Sequence, residues 1–264
     1  MDNQDQDKNG FDLGDLASHK DSVIWRYLEP LKLASMVLNS SLYCHRINLL
    51  EDAFEGTVPD KVAEYLTYLY PYAPDVVPAE KQLESLRRRL GYINATTYVN
   101  SWCMREDEDV LLWRMYAENG FAIRSTVGEL VESLRTEHEY DVLLTALRVK
   151  YVDMKNVNAE TVKHFIDSEG LGSACFVKHV AYQNENEIRL LAHCDCCSSD
   201  SSFVPGNYEG FQPSCVQIPV DTRVLIKDVV ASPRIPQWQT DTMGNFLQRL
   251  GLDCTIRQSD CIVR

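Results

Sequence analysis

The sequence predicts an α+β domain, in which a mixed and mainly antiparallel sheet has helices interspersed between its strands. Short runs of β-branched and aromatic residues recur along the chain, and apolar stripes at helical spacing separate them. The chain has 264 residues, 45% of them hydrophobic and 25% charged, which is enough to bury a sizeable core. Because no Pro/Gly/Ser-rich linker divides the chain, we expect one domain over residues 21–264.

The first part of the chain predicts a strand, a helix and a second strand. Residues 1–20 are polar with few core residues, so we expect this segment to be disordered. The run 23–27 predicts a strand, Pro30 suits the first turn of a helix, and 42–46 predicts the second strand. The apolar pattern then becomes helical, which predicts a helical insertion at about 57–91.

Strands and helices continue to alternate along the rest of the chain. Capping residues mark where helices begin: Asp107, Asn158 and Ser173, and Thr126, which forms a capping box with Glu129. Strands are predicted near 97–102, 121–124, 147–152, 216–220, 225–231 and 254–257, with a helix carrying Met243 and Leu250 before the last of them.

One charged stretch is the main candidate for a functional site. If residues 182–190 are extended, the period of two places Glu185, Glu187 and Arg189 on one face. Two neighbouring carboxylates each disfavour the ionisation of the other, and Arg189 partly relieves that repulsion. Such a group can mark a catalytic strand, but a solvated strand face with a ladder of charges is the more common origin of this pattern.

Charge and cysteine content limit the compartment and the partners. The formal net charge of −13 argues against non-specific binding to nucleic acid. No apolar run approaches the length of a membrane span, and the first twenty residues do not resemble a signal peptide, so we expect a cytoplasmic protein without a membrane partner. Nine scattered cysteines fit that compartment. The Cys-rich loop 193–197 is interpreted as oxidisable thiols, or as soft metal ligands that need a partner such as Cys215.

Several short motifs occur in an order that resembles a large bacterial family of domains of unknown function. The motifs are Trp25-Arg26-Tyr27, Ser41-Leu42-Tyr43, Glu51-Asp52-Ala53-Phe54-Glu55-Gly56, Trp113 with Tyr116-Ala117, Gly120-Phe121-Ala122-Ile123, Glu185-Asn186-Glu187-Ile188-Arg189 and Ser232-Pro233. The chain departs from the pattern at Ala53, where the family usually has Pro, at Leu112, where Met commonly precedes the Trp, and in the Cys-rich loop. The resemblance covers nearly all of the chain after residue 20 and implies no particular chemistry.

The layout is also similar to that of the ADP-ribosyltransferases, which use NAD. By this resemblance, Arg26 would hold the pyrophosphate, and Tyr43 or Tyr27 would stack on the nicotinamide. Glu187, with Glu185 beside it, would bond the ribose hydroxyl and stabilise the oxocarbenium-like charge. Arg124, before a capped helix, would meet a phosphate there, and Arg189 completes the expected NAD-binding residues. The implied function is an NAD-consuming transferase or glycohydrolase, a toxin-like effector in bacterial defence.

Two other classes of function stay open. A metal-dependent nuclease would bind Mg²⁺ through Asp52, Glu55, Glu185 and Glu187. A non-catalytic interaction module would use the charged strand as an interface with a protein. Structural roles are also open for Arg26, which has two aromatic neighbours, and for Arg124, which suits an ordinary salt bridge.

Overall fold

A computed structural model describes residues 13–52, 54–69, 78–135, 142–165, 170–194 and 212–261. The α-helices are α1 (Pro30–Asn39), α2 (Asp60–Leu69), α3 (Ala79–Thr96), α4 (Val110–Tyr116), α5 (Val127–Ser133), α6 (Ala159–Lys163), α7 (Thr222–Leu225) and α8 (Gln237–Arg249). The strands are β1 (Val23–Leu28), β2 (Ser41–Arg46), β3 (Thr97–Met104), β4 (Phe121–Thr126), β5 (Leu143–Arg148), β6 (Lys150–Val152), β7 (Val177–His179), β8 (Glu187–His193), β9 (Cys215–Pro219), β10 (Asp228–Ala231) and β11 (Ile256–Gln258). The described residues also include four 3-10 helices, which span Gly14–His19, Ile47–Leu49, Gly170–Phe176 and Val180–Glu185.

Within the described residues, nine strands form the main sheet, and β3 is its branching point. β8 pairs with β3 from Thr97 to Cys103 along one edge. On the other edge, β1 pairs with the end of β3 at Cys103 and Met104, and β2 pairs near its start. β4, β10 and β11 continue the sheet beyond β1, β9 lies beyond β2, and β5 lies beyond β8. The pairing of β10 with β11 is parallel and the others in this sheet are antiparallel, while β6 and β7 form a separate parallel pair.

The two faces of the sheet carry different cores. Ile24 and Leu28 of β1 face the larger core, which also contains the apolar sides of α1, α5 and α8. Trp25 and Tyr27 face the other side, where Trp113 of α4 covers them. A third cluster, which includes Val62, Leu66, Leu90, Val152, Val162 and Phe165, forms under α2, α3 and α6. The second face is covered at one end by α4, and at the other end Val99 and Leu191 pack with Ile47, Cys175 and Phe176.

The α+β class and the mainly antiparallel sheet that the sequence predicts are confirmed. The α1 helix begins at Pro30, and Thr126 forms the expected capping box with Glu129. Two details differ. α4 is capped by Asp109 instead of Asp107, because the Asp109 carboxylate accepts from the amides of Leu111 and Leu112. The run 147–152 is divided between β5 and β6, which belong to different sheets.

The described part of the N-terminal segment is ordered. Gly14–His19 is a 3-10 helix, and Leu13 and Leu16 are buried in the larger core. The expectation of disorder over residues 1–20 missed these two leucines, because polar neighbours surround them in the sequence. Residues 1–12 lie outside the described part, as does most of the Cys-rich loop. Among the described helices, none has both the length and the apolar character that crossing a membrane requires.

The capping box predicts a measurable stability effect. The Thr126 hydroxyl accepts from the Glu129 amide at 3.2 Å, and the Glu129 carboxylate accepts from the Thr126 amide at 3.0 Å. Thr126→Ala removes the first of these bonds, so the free energy of unfolding is expected to fall by about 1 kcal/mol in urea denaturation. Thr67→Ala, within α2, is the control and should change it by less than about 0.5 kcal/mol. Equal effects of both substitutions would contradict a special role of the cap.

Candidate functional site

The charged strand that the sequence singles out lies inside the sheet. β8 has β3 on one edge and β5 on the other, and every residue of Glu187–Ala192 is buried. Glu187 and Arg189 are therefore covered, with 6% and 1% of their surfaces exposed. An isolated charge at such a site is costly, so both groups require charged partners.

The partners form a compact cluster, which we call the carboxylate cluster. It consists of Glu55, Lys178, Glu185, Glu187 and Arg189. The Arg189 guanidinium donates from Nε to Glu187 at 2.6 Å and from Nη1 to the Cys175 carbonyl at 2.6 Å, and its Nη2 contacts Glu55. The Lys178 ammonium lies 3.1 Å from Glu55, 2.7 Å from Glu185 and 3.0 Å from Glu187. Three carboxylates thus share two cations.

The loop before α2 places Glu55 in this cluster. Gly56 has a φ of +68°, in the left-handed region that favours glycine, and a Cβ there would lie 3.0 Å from Asn94 and 3.1 Å from Ile47. Glycine at this position therefore lets the chain turn back with Glu55 pointing inward. This gives a structural reason for the pair Glu55-Gly56 in the motif at 51–56.

Glu185 reaches the cluster from outside the strand. It ends a 3-10 helix, and Asn186, with a φ of +43°, turns the chain into β8. The predicted alternation of Glu185 with Glu187 in one extended segment is therefore wrong, although both carboxylates still contact Lys178. Glu185 also accepts a hydrogen bond of 3.1 Å from the hydroxyl of Tyr116, at the end of α4.

The ion pairs keep the cluster charged. Burial by itself raises the pKa of Glu187, but Arg189 and Lys178 outweigh it and lower that pKa to about 2. Burial favours the neutral form of Lys178, but the carboxylates of Glu187 and Glu55 outweigh it and raise the Lys178 pKa above its usual value. Glu187 is thus a fixed anion at neutral pH.

A gap in the sheet opens beside this cluster. On the edge of β3 away from β8, pairing with β2 reaches Val99 and pairing with β1 resumes at Cys103. Side chains satisfy polar groups in the interval: the Asn100 amide donates to the Tyr43 carbonyl at 2.9 Å, and Arg26 donates to the Ser101 carbonyl at 3.3 Å. Arg26 thus lies at the gap.

Arg26 has an unusual environment for a guanidinium. Its side chain leaves β1 on the face opposite to Glu187, because Trp25, Cys103 and Glu187 are successive cross-strand partners. The guanidinium lies 5.8 Å from the centre of the Trp102 ring, and it has no carboxylate within ion-pair distance among the described residues. Burial lowers the pKa of Arg26 to about 10, and the nearby charge of Glu187 opposes that shift. Part of the side chain nevertheless reaches solvent. A cation without an anionic partner suits an anionic ligand.

Ser101, which was not predicted from the sequence, connects the gap to the carboxylate cluster. Ser101 is exposed, whereas the other residues of β3 are buried. Its face neighbours are covered, Val99 by the cluster around Phe176 and Cys103 by the cluster around Trp113. Its hydroxyl interacts with the Glu187 carboxylate and helps to lower the pKa of Glu187, while its carbonyl accepts from Arg26. Ser101 therefore lies in an exposed stretch of this face, between the two buried ends.

Tyr43 lies near the exposed stretch at Ser101, whereas Tyr27 does not. Tyr43 is 48% exposed on β2, and a hydrogen bond with Cys215 raises its pKa to about 12. Tyr27 is buried against Trp113, with ring centres 4.9 Å apart, and its hydroxyl accepts from the Asp109 amide at 2.8 Å. Tyr27 thus supports the start of α4 instead of facing the gap.

The two other predicted NAD-binding arginines have protein partners. Arg124 is 3.2 Å from Asp228. The pairs Arg124–Trp25, Trp25–Cys103 and Cys103–Glu187 separate it from Glu187 by three strand spacings, about 14 Å between backbones. Arg189 is buried and fully engaged by the carboxylate cluster. The structure therefore places Tyr43, Glu185 and Glu187 on one face of the sheet, Arg26 at the gap on the opposite face, and Arg124 apart.

The predicted Mg²⁺ ligands converge only in part. Glu55, Glu185 and Glu187 do meet, but the Lys178 ammonium already lies between them. No group of three or more His, Cys, Asp or Glu side chains is arranged to hold a metal ion in the described part of the chain. Lys178 was not among the residues predicted from the sequence, where its signal is a single charge inside the apolar run 174–180. Such a residue indicates a buried ion pair.

Comparison of the chain with protein-family models, with curated proteins and with solved structures found no match in any of the three. The resemblances described from the sequence therefore stay predictions, and a function has to be argued from the chemistry of the gap and the carboxylate cluster.

Proposed function

We propose that the chain binds NAD at the gap between β1 and β2 and cleaves its nicotinamide–ribose bond, as an ADP-ribosyltransferase or NAD glycohydrolase does. One observation carries this proposal. Ser101 is exposed, its carbonyl accepts from the Arg26 guanidinium, and its hydroxyl interacts with the buried Glu187 carboxylate and helps to lower its pKa. A cation for phosphate and an anion for ribose thus lie on opposite faces of the sheet, on either side of the gap at Ser101.

The Arg26 guanidinium supports the phosphate end of the proposal. A guanidinium can donate two parallel hydrogen bonds to phosphate oxygens. Arg26 uses one donor on a neutral carbonyl and has no carboxylate partner in the described part of the chain. A pyrophosphate would supply the missing counter-charge.

The fixed charge of Glu187 supports the chemical step. When the bond between C1′ and the pyridinium nitrogen breaks, its electron pair leaves with neutral nicotinamide and the ribose carries oxocarbenium-like positive charge. Water or an acceptor hydroxyl, amine or guanidine then attacks C1′ and releases a proton to solvent. A carboxylate that stays ionised stabilises the positive charge as it develops, and Arg189 with Lys178 holds Glu187 in place for that role.

The proposal is tested by incubating the full chain with NAD and measuring released nicotinamide by chromatography. We expect release by the wild-type chain and a loss of at least about 100-fold in Glu187→Gln, because electrostatic stabilisation of this kind commonly contributes that much. Arg26→Gln should raise KM for NAD more than it lowers kcat, since it removes a contact to a part of the substrate that does not react.

Arg234→Gln is the matched control, because Arg234 forms a surface ion pair with Glu118. It should leave the rate unchanged. Nicotinamide release that is equal in wild-type and Glu187→Gln chains would remove Glu187 from the mechanism. No release by the wild-type chain, alone or with added protein acceptors, would overturn the proposed function.

A further inference from the structure

The outer side of α4 is apolar and exposed, and we call it the α4 face. Its members are Val110, Leu111, Met115 and Tyr116, with 36%, 56%, 59% and 48% of their surfaces exposed. Leu111 and Met115 are four positions apart, so their side chains lie next to each other on the helix. Among the described residues, no other helix exposes more than two large hydrophobic side chains. The α4 face therefore differs from single exposed leucines, which are ordinary on a protein surface.

This helix is held in place, so its exposed side is a formed surface. Asp109 caps α4 at its start. Leu112 and Trp113, on the inner side, are buried in the core that α4 covers. At the other end, the Tyr116 hydroxyl donates to Glu185 at 3.1 Å. The two ends and the inner side of α4 are thus bound by the rest of the chain, while the outer side faces solvent.

Acidic groups flank the α4 face at both ends. Glu106 and Asp107 are exposed in the loop before the helix. At the other end, Glu185 belongs to the carboxylate cluster, whose three carboxylates and two cations leave a formal charge of −1. Arg114 places one positive charge on α4 itself, which offsets only part of this negative charge. An apolar surface with an acidic margin is complementary to apolar side chains that have basic neighbours.

We infer that the α4 face is a docking surface for a basic amphipathic segment of another protein. The apolar side chains of that segment pack on Leu111 and Met115, and its lysines or arginines lie toward Glu106 and Asp107. The flexible side chain of Met115 adapts to partners of different shape. Docking at this face does not depend on cleavage of NAD.

A second copy of this chain is a poorer occupant of the α4 face. A two-fold contact between two α4 helices brings the acidic margins of both copies together. Each copy also has a formal net charge of −13, so the copies repel each other. A basic partner gains from the same charges.

The test uses a fluorescein-labelled peptide of about 14 leucines and lysines, arranged so that the leucines form one side of a helix. Fluorescence polarisation measures its binding to the full chain, and we expect a dissociation constant on the order of 10 μM, since the α4 face is smaller than a standard interface. Leu111→Ser and Met115→Ser should each weaken binding at least about fivefold. Leu31→Ser is the matched control and should leave the affinity unchanged, because Leu31 is 83% exposed on α1, on the opposite side of the sheet.

The acidic margin is tested separately. Glu106→Gln combined with Asp107→Asn should weaken binding about threefold, as expected for charges at the rim of an interface. Glu64→Gln combined with Glu80→Gln removes two exposed carboxylates from α2 and α3 and should leave the affinity unchanged. A peptide with glutamate in place of lysine should bind at least about tenfold more weakly than the basic peptide.

Three results would overturn the docking surface: no binding of the basic peptide by the wild-type chain, equal losses in Leu111→Ser and Leu31→Ser, or equal binding of the acidic peptide. Light scattering over a range of protein concentrations tests the second copy, and a dimer that Leu111→Ser dissociates would overturn the choice of a basic partner. None of these measurements involves nicotinamide release, so the docking surface and the proposed function can fail independently.

Discussion

Replacing Arg189 with methionine is expected to lower the free energy of unfolding by about 3 to 5 kcal/mol, because it leaves buried carboxylates without their main counter-ion. Arg189 is 1% exposed and contacts both Glu55 and Glu187. Methionine fills much of the volume but supplies neither charge nor hydrogen bonds. Lys178 alone would then face three carboxylates, so the loss should exceed the effect of most single substitutions.

Urea denaturation followed by circular dichroism measures this change, with Arg87→Met as the control. Arg87 is also paired with an acid, Asp60, but both partners are more than half exposed, so its ion pair contributes about 0 to 1 kcal/mol. A loss in Arg189→Met no larger than that in Arg87→Met would show that the carboxylate cluster does not depend on its guanidinium.

Acid should unfold the protein through Glu187 in a definite pH window. Its folded-state pKa of about 2 lies below the ordinary value of 4.5, so the unfolded chain takes up the proton first. The stabilisation is therefore fully present above about pH 4.5 and is lost as the pH falls through the folded-state value. A difference of this size corresponds to about 3 kcal/mol between pH 5 and pH 2.

The measurement is the free energy of unfolding in urea at intervals from pH 6 to pH 2.5. Glu187→Gln removes the titrating group, so its stability should change less steeply with pH than that of the wild-type chain over this interval. Glu64→Gln, at an exposed position on α2, is the control and should keep the wild-type slope. Identical slopes in the wild-type chain and Glu187→Gln would contradict the ion pairing described for Glu187.

Local signals in the sequence identified the class of fold and many element positions. Pro30 and the Thr126–Glu129 box are short-range devices whose partners lie within four residues, so pattern alone can recognise them. The division of 147–152 between two sheets depends on strands that come later in the chain. Periodicity carries no information about such partners.

Only part of the candidate site was predicted from the sequence. Glu187 and Arg189 can be recognised in the sequence as charges in an otherwise apolar strand. Lys178 and Ser101 were not recognised, because their importance comes from what the fold places beside them: three carboxylates around the lysine, and the gap in the sheet beside the serine. The predicted alternation of Glu185 with Glu187 failed because the backbone at Asn186 adopts a left-handed conformation.

β8 is synthesised late, and its synthesis determines when Arg189 can pair with Glu55. Glu55 and Arg189 are 134 positions apart in the chain. At about 5 to 20 residues per second, a ribosome needs on the order of ten seconds to progress from one to the other. Until then β3 has an open edge and Glu55 stays hydrated, so the pairing of β3 with β8 cannot be complete before residue 193 has emerged.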